Sequence, residues 1–235
     1  AVVVHYHAWT TSRHLIESLD TEKREVRFRN PSWCTMGWWG KERFYVEAVR
    51  EALDAPGEFY LDRKTGVLSY YARPGEDMAK IEVIAPKPEE ILRLDGDAAA
   101  GKLVSHLRFQ GLSLQHTAWT MPQSGLVDGQ AAAFLKTATV LARGARHCPF
   151  EGCEIVHTGG YGLWPGHGCK DCRVEQCHLD DLGAGGVRID ETSSPRKPEE
   201  ASDHNAVENC IVHDGAHMFP AGVGMWVGRA SNKRM

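Results

Sequence analysis

The chain has 235 residues, with 27 Lys and Arg against 31 Asp and Glu, a net charge of −4. That balance supplies no basic face for a phosphate backbone and argues against a nucleic-acid partner. Apolar residues at 42% and charged residues at 25% suit a chain that buries a core rather than a disordered one. No run approaches the roughly 18 apolar residues needed to cross a bilayer, so no membrane span is expected.

The chain opens on Ala1 inside an apolar run and closes soon after a strand-like stretch at 224–227, which predicts a fragment truncated at both ends. Residues 1–7 and 25–29 alternate like strands, so 1–30 is read as early strands of the main fold. Residues 31–40 are turn-rich and carry Trp33, Trp38 and Trp39. Phe44, Val46, Ala48, Val49, Ala52 and Leu53 predict a helix over 41–53, stopped by Asp54-Ala55-Pro56-Gly57. Residues 58–61 and 67–71 flank a turn ending in Gly66 and read as a hairpin. Together 31–90 is expected to be an inserted β/α segment.

Beyond residue 90 a repeat decides the fold. Segments 108–116, 149–157, 173–181 and 206–214 align at offsets of 41, 24 and 33. Phe109, Phe150, Val174 and Val207 share one column. Leu112, Cys153, Cys177 and Cys210 share a second, and Leu114, Ile155, Leu179 and Val212 a third. Each segment is two short strands around a turn at Gly111, Gly152, Gln176 or Asn209. The last three are each followed by a Gly-rich turn and a further strand. Three short strands per coil predict an all-β parallel solenoid over 91–235, because a single coil cannot bury its inner face alone. The longer offsets place inserted loops near 121–133 and 191–203.

Alternation in the third strand puts Leu163, Val187 and Met225 inside and Trp164, Arg188 and Trp226 outside. An exposed Trp-Arg-Trp row would suit sugar rings and their carboxylates. The plainer alternative is that loops cover it. In the same register His116, His157, Asp181 and Asp214 form a column, with Asp180 and His213 in the column before it. Asp181 and Asp214 would then sit on adjacent coils, about 5 Å apart at the backbone. Two carboxylates so placed suit glycoside cleavage, one as general acid and the other as nucleophile or base; side-chain directions leave retention or inversion open. Asp180, Asp190 and Glu191 are reserve candidates. The plainer reading of an Asp in such a turn is backbone capping. His157, His178, His213 and His217 are candidate proton shuttles or sugar contacts.

His147-Cys148 and His167-Gly168-Cys169-Lys170-Asp171-Cys172 contain a C-x-x-C, but the remaining ligands lack a familiar zinc spacing, so no metal is expected. The column cysteines read as small core residues. Seven Cys leave at least one thiol without a partner in the chain. No cofactor is expected, although the carboxylates would accept Ca²⁺ if the chemistry were that of a lyase.

Several stretches resemble right-handed parallel β-helix proteins of glycoside hydrolase family 141. These are 52–71, Val127-Asp128-Gly129-Gln130-Ala131, 152–164, 181–186, and 213–220 with 224–228. The coil stretches are shared more loosely with other β-helix proteins, polysaccharide lyases among them. The resemblance implies a secreted or periplasmic enzyme acting on plant cell-wall polysaccharides, with fucosidase and xylanase activities both represented. It implies carboxylate catalysis, here at Asp181 and Asp214. A poly- or oligosaccharide is then the partner, with no obligate protein partner. Two other readings stand beside the hydrolase: a lyase on the same scaffold, and a non-catalytic glycan-binding solenoid.

Overall fold

The repeat is built as parallel strands, rung upon rung, in a computed structural model that describes residues 1–195, 197–229 and 231–232. Phe109, Phe150, Val174 and Val207 are successive partners in one sheet. Leu114, Ile155, Leu179 and Val212 are partners in a second. A third parallel sheet stacks Leu92–Asp95, Ala138–Arg143, Tyr161–Pro165, Val187–Ile189 and Met225–Val227. Among the described residues the only helical pieces are short 3-10 turns. Among the described residues of 85–120 and 128–235 the named strands all pair in parallel and no α-helix occurs, as a β-solenoid requires.

The three sheets enclose one apolar interior. Phe150, Cys153, Ile155, Leu163, Val174, Cys177, Leu179 and Val187 are each at most 2% exposed, and burying each large aliphatic chain contributes about 1.5–3 kcal/mol. Phe109 stacks on Phe150 at 4.6 Å, so the aromatic column continues between coils. Cysteine fills the tight position after three of the four turns, Leu112 taking it after Gly111, and Cys153, Cys177 and Cys210 donate to the carbonyls of Glu151, Glu175 and Glu208. Met225 occupies the same column as Leu163 and Val187 but is exposed on the last described coil.

The turn between the first two sheets needs a left-handed residue on every coil: φ is 64° at Gly111, 56° at Gly152, 53° at Gln176 and 52° at Asn209. Gln176 is the costly one, since a side-chain-bearing residue there loses about 1–2 kcal/mol. Glycine returns part of that gain through its freer unfolded chain. Gln176→Gly is expected to stabilise the protein by about 0.5–1 kcal/mol, read as a higher urea midpoint at unchanged slope. A lower midpoint would refute this account of the turn.

Residues 1–84 with 121–127 form the other unit. Its strands run antiparallel: Val2–Tyr6 lies between Thr11–Asp20 and Phe44–Glu47, and Glu25–Phe28 and Leu126–Val127 also pair with Thr11–Asp20. Residues 1–30 are thus not early coils but belong with the segment that follows them. The helix expected at 41–53 is instead the strand Phe44–Glu47 and a single 3-10 turn, Arg50–Ala52. Pairing with Val2–Tyr6 overrides the helical spacing of its apolar residues. The hairpin is present as Phe59–Asp62 and Val67–Tyr70.

Candidate active site

The column His116, His157, Asp181, Asp214 forms as expected, at the end of the second sheet. All four residues are left-handed, with φ of 60°, 53°, 47° and 44°. His116 stacks on His157 at 4.8 Å. His157 Nδ1 lies 2.6 Å from Asp181 Oδ2, and His217 Nε2 lies 3.5 Å from Asp181 Oδ1. Asp181 is therefore flanked by imidazoles from two other parts of the chain. One column back, His213 Nδ1 is 2.8 Å from Asp214 Oδ2 and 3.1 Å from Asp180 Oδ1, while its Nε2 meets His178 Nε2 at 2.9 Å. The Asp214 hydrogen bond, helped by the charges of Asp180 and Asp214, raises the His213 pKa above its ordinary value.

A second corner provides an internal comparison. His106, His147, Asp171 and His204 are also left-handed, and His106 stacks on His147 at 5.0 Å, but His147 and Asp171 stand 3.9 Å apart. His and Asp tolerate this conformation better than most residues, so left-handed His and Asp alone do not mark a site. What distinguishes the first corner is convergence: Asp181 between two imidazoles, and His213 between two carboxylates.

The Trp-Arg-Trp row is not an exposed ladder. Trp164 is 2% and Arg188 1% exposed. Both point away from the interior as alternation requires, but the strap at 133–136 meets Arg188 through Leu135, and Arg188 in turn covers Trp164. Arg188 donates to the Leu135 carbonyl at 2.7 Å and lies 3.6 Å over the Trp164 ring and 5.0 Å over the Trp226 ring. Trp164 Nε1 donates to the Asp190 carbonyl. Tyr161, whose hydroxyl donates to the Ala131 carbonyl, completes the packing; burial pushes its pKa up to about 12.

Beside this row is a cleft of about 460 Å³ lined by residues including Phe134, Lys136, Arg143, His167, Arg188 and Glu191. Neither Asp181 nor Asp214 lines it. Burial raises the Glu191 carboxyl pKa, against the pull of Arg188, His167 and Arg143. Asp190 is buried, bonded by Ser202 Oγ at 3.1 Å and 3.8 Å from His167 Nδ1. It supports the loop rather than facing the cleft.

Cys148, Cys169 and Cys172 point into the core, whereas His147 is exposed, so these residues do not converge on a metal. Two other groups converge among the described residues: His178, Asp180 and His213 in the parallel-sheet unit, and His5, His7 and Glu42 in the antiparallel unit. The first is rich in nitrogen and does not match the all-oxygen shell that Ca²⁺ prefers. Sequence reasoning missed the second, although His5 near the end of the strand Val2–Tyr6 and His7 just after it are two residues apart, on the same face.

No family model and no curated protein matches the chain. Among solved structures, a protein named a glycoside hydrolase is similar, with a TM-score of 0.85 and 22% identity over 96% of this chain and 46% of that one. This chain spans just under half the length of that protein. What the likeness establishes is a shared fold: the chain is built like part of a protein named a glycoside hydrolase.

Proposed function

We propose that this chain is part of a secreted or periplasmic glycoside hydrolase acting on plant cell-wall type polysaccharides, on a right-handed coil of the family 141 kind. The observation that carries the reading is Asp181, placed between His157 and His217 on an open corner where a polymer can lie along the stack. In this reading Asp181 is the nucleophile or general base. His213, whose pKa is raised by Asp214 and Asp180, delivers the proton to the leaving oxygen when it carries one. Asp214 thus acts through His213, and two carboxylates on neighbouring coils divide the work.

The proton-donor role has a definite pH signature. The raised pKa of His213 means that its cation is present at low pH and is lost as pH rises through that value. The alkaline limb of kcat/KM should follow it. Asp214→Asn removes the largest cause of the shift, so the limb should move to lower pH. A limb that stays in place in Asp214→Asn would rule out His213 as the donor. Product analysis on a panel of plant polysaccharides tests the reaction class. New reducing ends without new ultraviolet absorbance support hydrolysis, and unsaturated uronates would replace it with a lyase.

Glu191 favours a second reading, with the acid in the cleft. A desolvated carboxyl with a raised pKa is what a general acid needs. Arg143, Lys136 and Arg188 there would favour an anionic sugar.

A further inference from the structure

The antiparallel unit gathers four metal-donor side chains that the proposed glycan chemistry does not use. His5 and His7 project from the same face of Val2–Tyr6 and the residue after it. Glu42 and Cys34 come from the Trp-rich turn region beyond. Glu42 Oε2 lies 3.1 Å from His5 Nε2 and 3.9 Å from His7 Nδ1, and Cys34 Sγ lies 3.3 Å from the same His7 Nδ1. The His5, His7 and Glu42 donor atoms all fall within 4.8 Å of one another. A tetrahedral zinc with bonds of 2.0–2.3 Å needs donors about 3.3–3.6 Å apart; His5, His7 and Glu42 bracket that spacing at 3.1 and 3.9 Å, and Cys34 reaches it only toward His7. The His5, His7 and Glu42 side chains are at most 7% exposed.

The surroundings orient His7 and Glu42. Ser12 Oγ lies 2.8 Å from His7 Nε2 and 2.7 Å from His14 Nε2, and Asn30 Nδ2 is 2.9 Å from His14 Nδ1. This chain engages His7 through Nε2 and leaves Nδ1 toward Cys34 and Glu42, as outer partners of metal-bound histidines do. Glu42 is fixed by the backbone N–H groups of Gly37 and Trp39.

We propose that His5, His7 and Glu42 bind one Zn²⁺ and that the Cys34 thiolate, now beside His7 Nδ1, turns in as the fourth ligand to close a tetrahedral site. Four protein ligands leave no open position, so the ion is structural. It fastens the turn that carries Trp33, Trp38 and Trp39 onto the strand that carries His5 and His7. Trp33 already stands edge-on to His7 at 5.7 Å, and Trp39 lies among Trp9, Trp33 and Trp38.

The full protein, stripped with a chelator and titrated with Co²⁺, is expected to take up one tight equivalent. Its spectrum should show the strong visible bands of tetrahedral cobalt and a thiolate-to-metal charge-transfer band. Cys34→Ser should abolish the charge-transfer band while leaving a folded protein. Ser12→Ala should weaken binding by about 10- to 100-fold. Zn²⁺ should displace the cobalt, and stripping should shift the tryptophan fluorescence. Absence of tight uptake, or a charge-transfer band that persists in Cys34→Ser and vanishes in Cys169→Ser, would overturn the site. Circular dichroism of each variant separates lost binding from lost folding.

Discussion

Asp181→Asn is expected to lower kcat on a responsive glycan by about 10²- to 10⁴-fold, with KM nearly unchanged. The substitution is close to isosteric, and Asn accepts left-handed backbone as readily as Asp, so φ of 47° at this position is kept. The side chain is half-exposed, and its contacts to His157 and His217 are made at the surface. Loss of fold is therefore not the expected consequence, and an unchanged melting temperature checks that. Asp171→Asn is the matched control: it has the same residue type and the same backbone, in the stacked column of the other corner. It should leave turnover unaltered. If Asp181→Asn retains turnover within a few-fold, Asp181 is not the nucleophile or base. If Glu191→Gln is then the variant that loses activity, the reaction belongs in the cleft beside Arg188. Binding that survives Asp181→Asn in a protein with no turnover would support the glycan-binding solenoid.

The coils were legible because apolar residues recur in register. Phe150, Val174 and Val207, and Cys153, Cys177 and Cys210, recur at matching positions of the repeat, and the sheets pair the former in that register. Register alone also placed His157 with Asp181 and Asp180 with His213, since a stack of parallel strands converts alignment into contact. What alternation cannot tell is what covers the outer face. Trp164 and Arg188 project from the third sheet away from the interior, yet a residue that covers Arg188, Leu135, comes from far along the chain. The antiparallel unit was harder. Its long strand Thr11–Asp20 buries Thr11, Ser12, Arg13 and His14, so its inward positions carry no apolar signal. Residues 44–47 are largely exposed, and their strand state comes from a partner rather than from their own pattern. The His5-Tyr6-His7 spacing was present in the sequence, but Cys34 and Glu42 join it only through the fold.

The burial of Arg188 carries the largest expected effect on stability. Its guanidinium lies over Trp164 and beside Trp226, donates to the Leu135 carbonyl, and approaches Glu191 Oε2 at 3.5 Å. Desolvation lowers its pKa, a cost that only these partners offset. Arg188→Ala removes the cation between two indoles, leaves the Leu135 carbonyl without that donor, and takes the nearest countercharge from a mostly buried carboxylate. The expected loss is about 3–5 kcal/mol, or a melting temperature lower by roughly 10 °C. The double variant Arg188→Met with Glu191→Gln separates the contributions. Filling the space with an apolar chain while neutralising the acid should recover a sizeable part of the loss, because a removed pair costs less than a broken one. If the double variant is no more stable than Arg188→Ala, packing on the rings and the Leu135 bond dominate, and the Glu191 charge adds little. If Arg188→Ala itself costs under about 1 kcal/mol, the strap at 133–136 is not held by this residue. The row would then be free to open onto the cleft, as a sugar-binding surface requires.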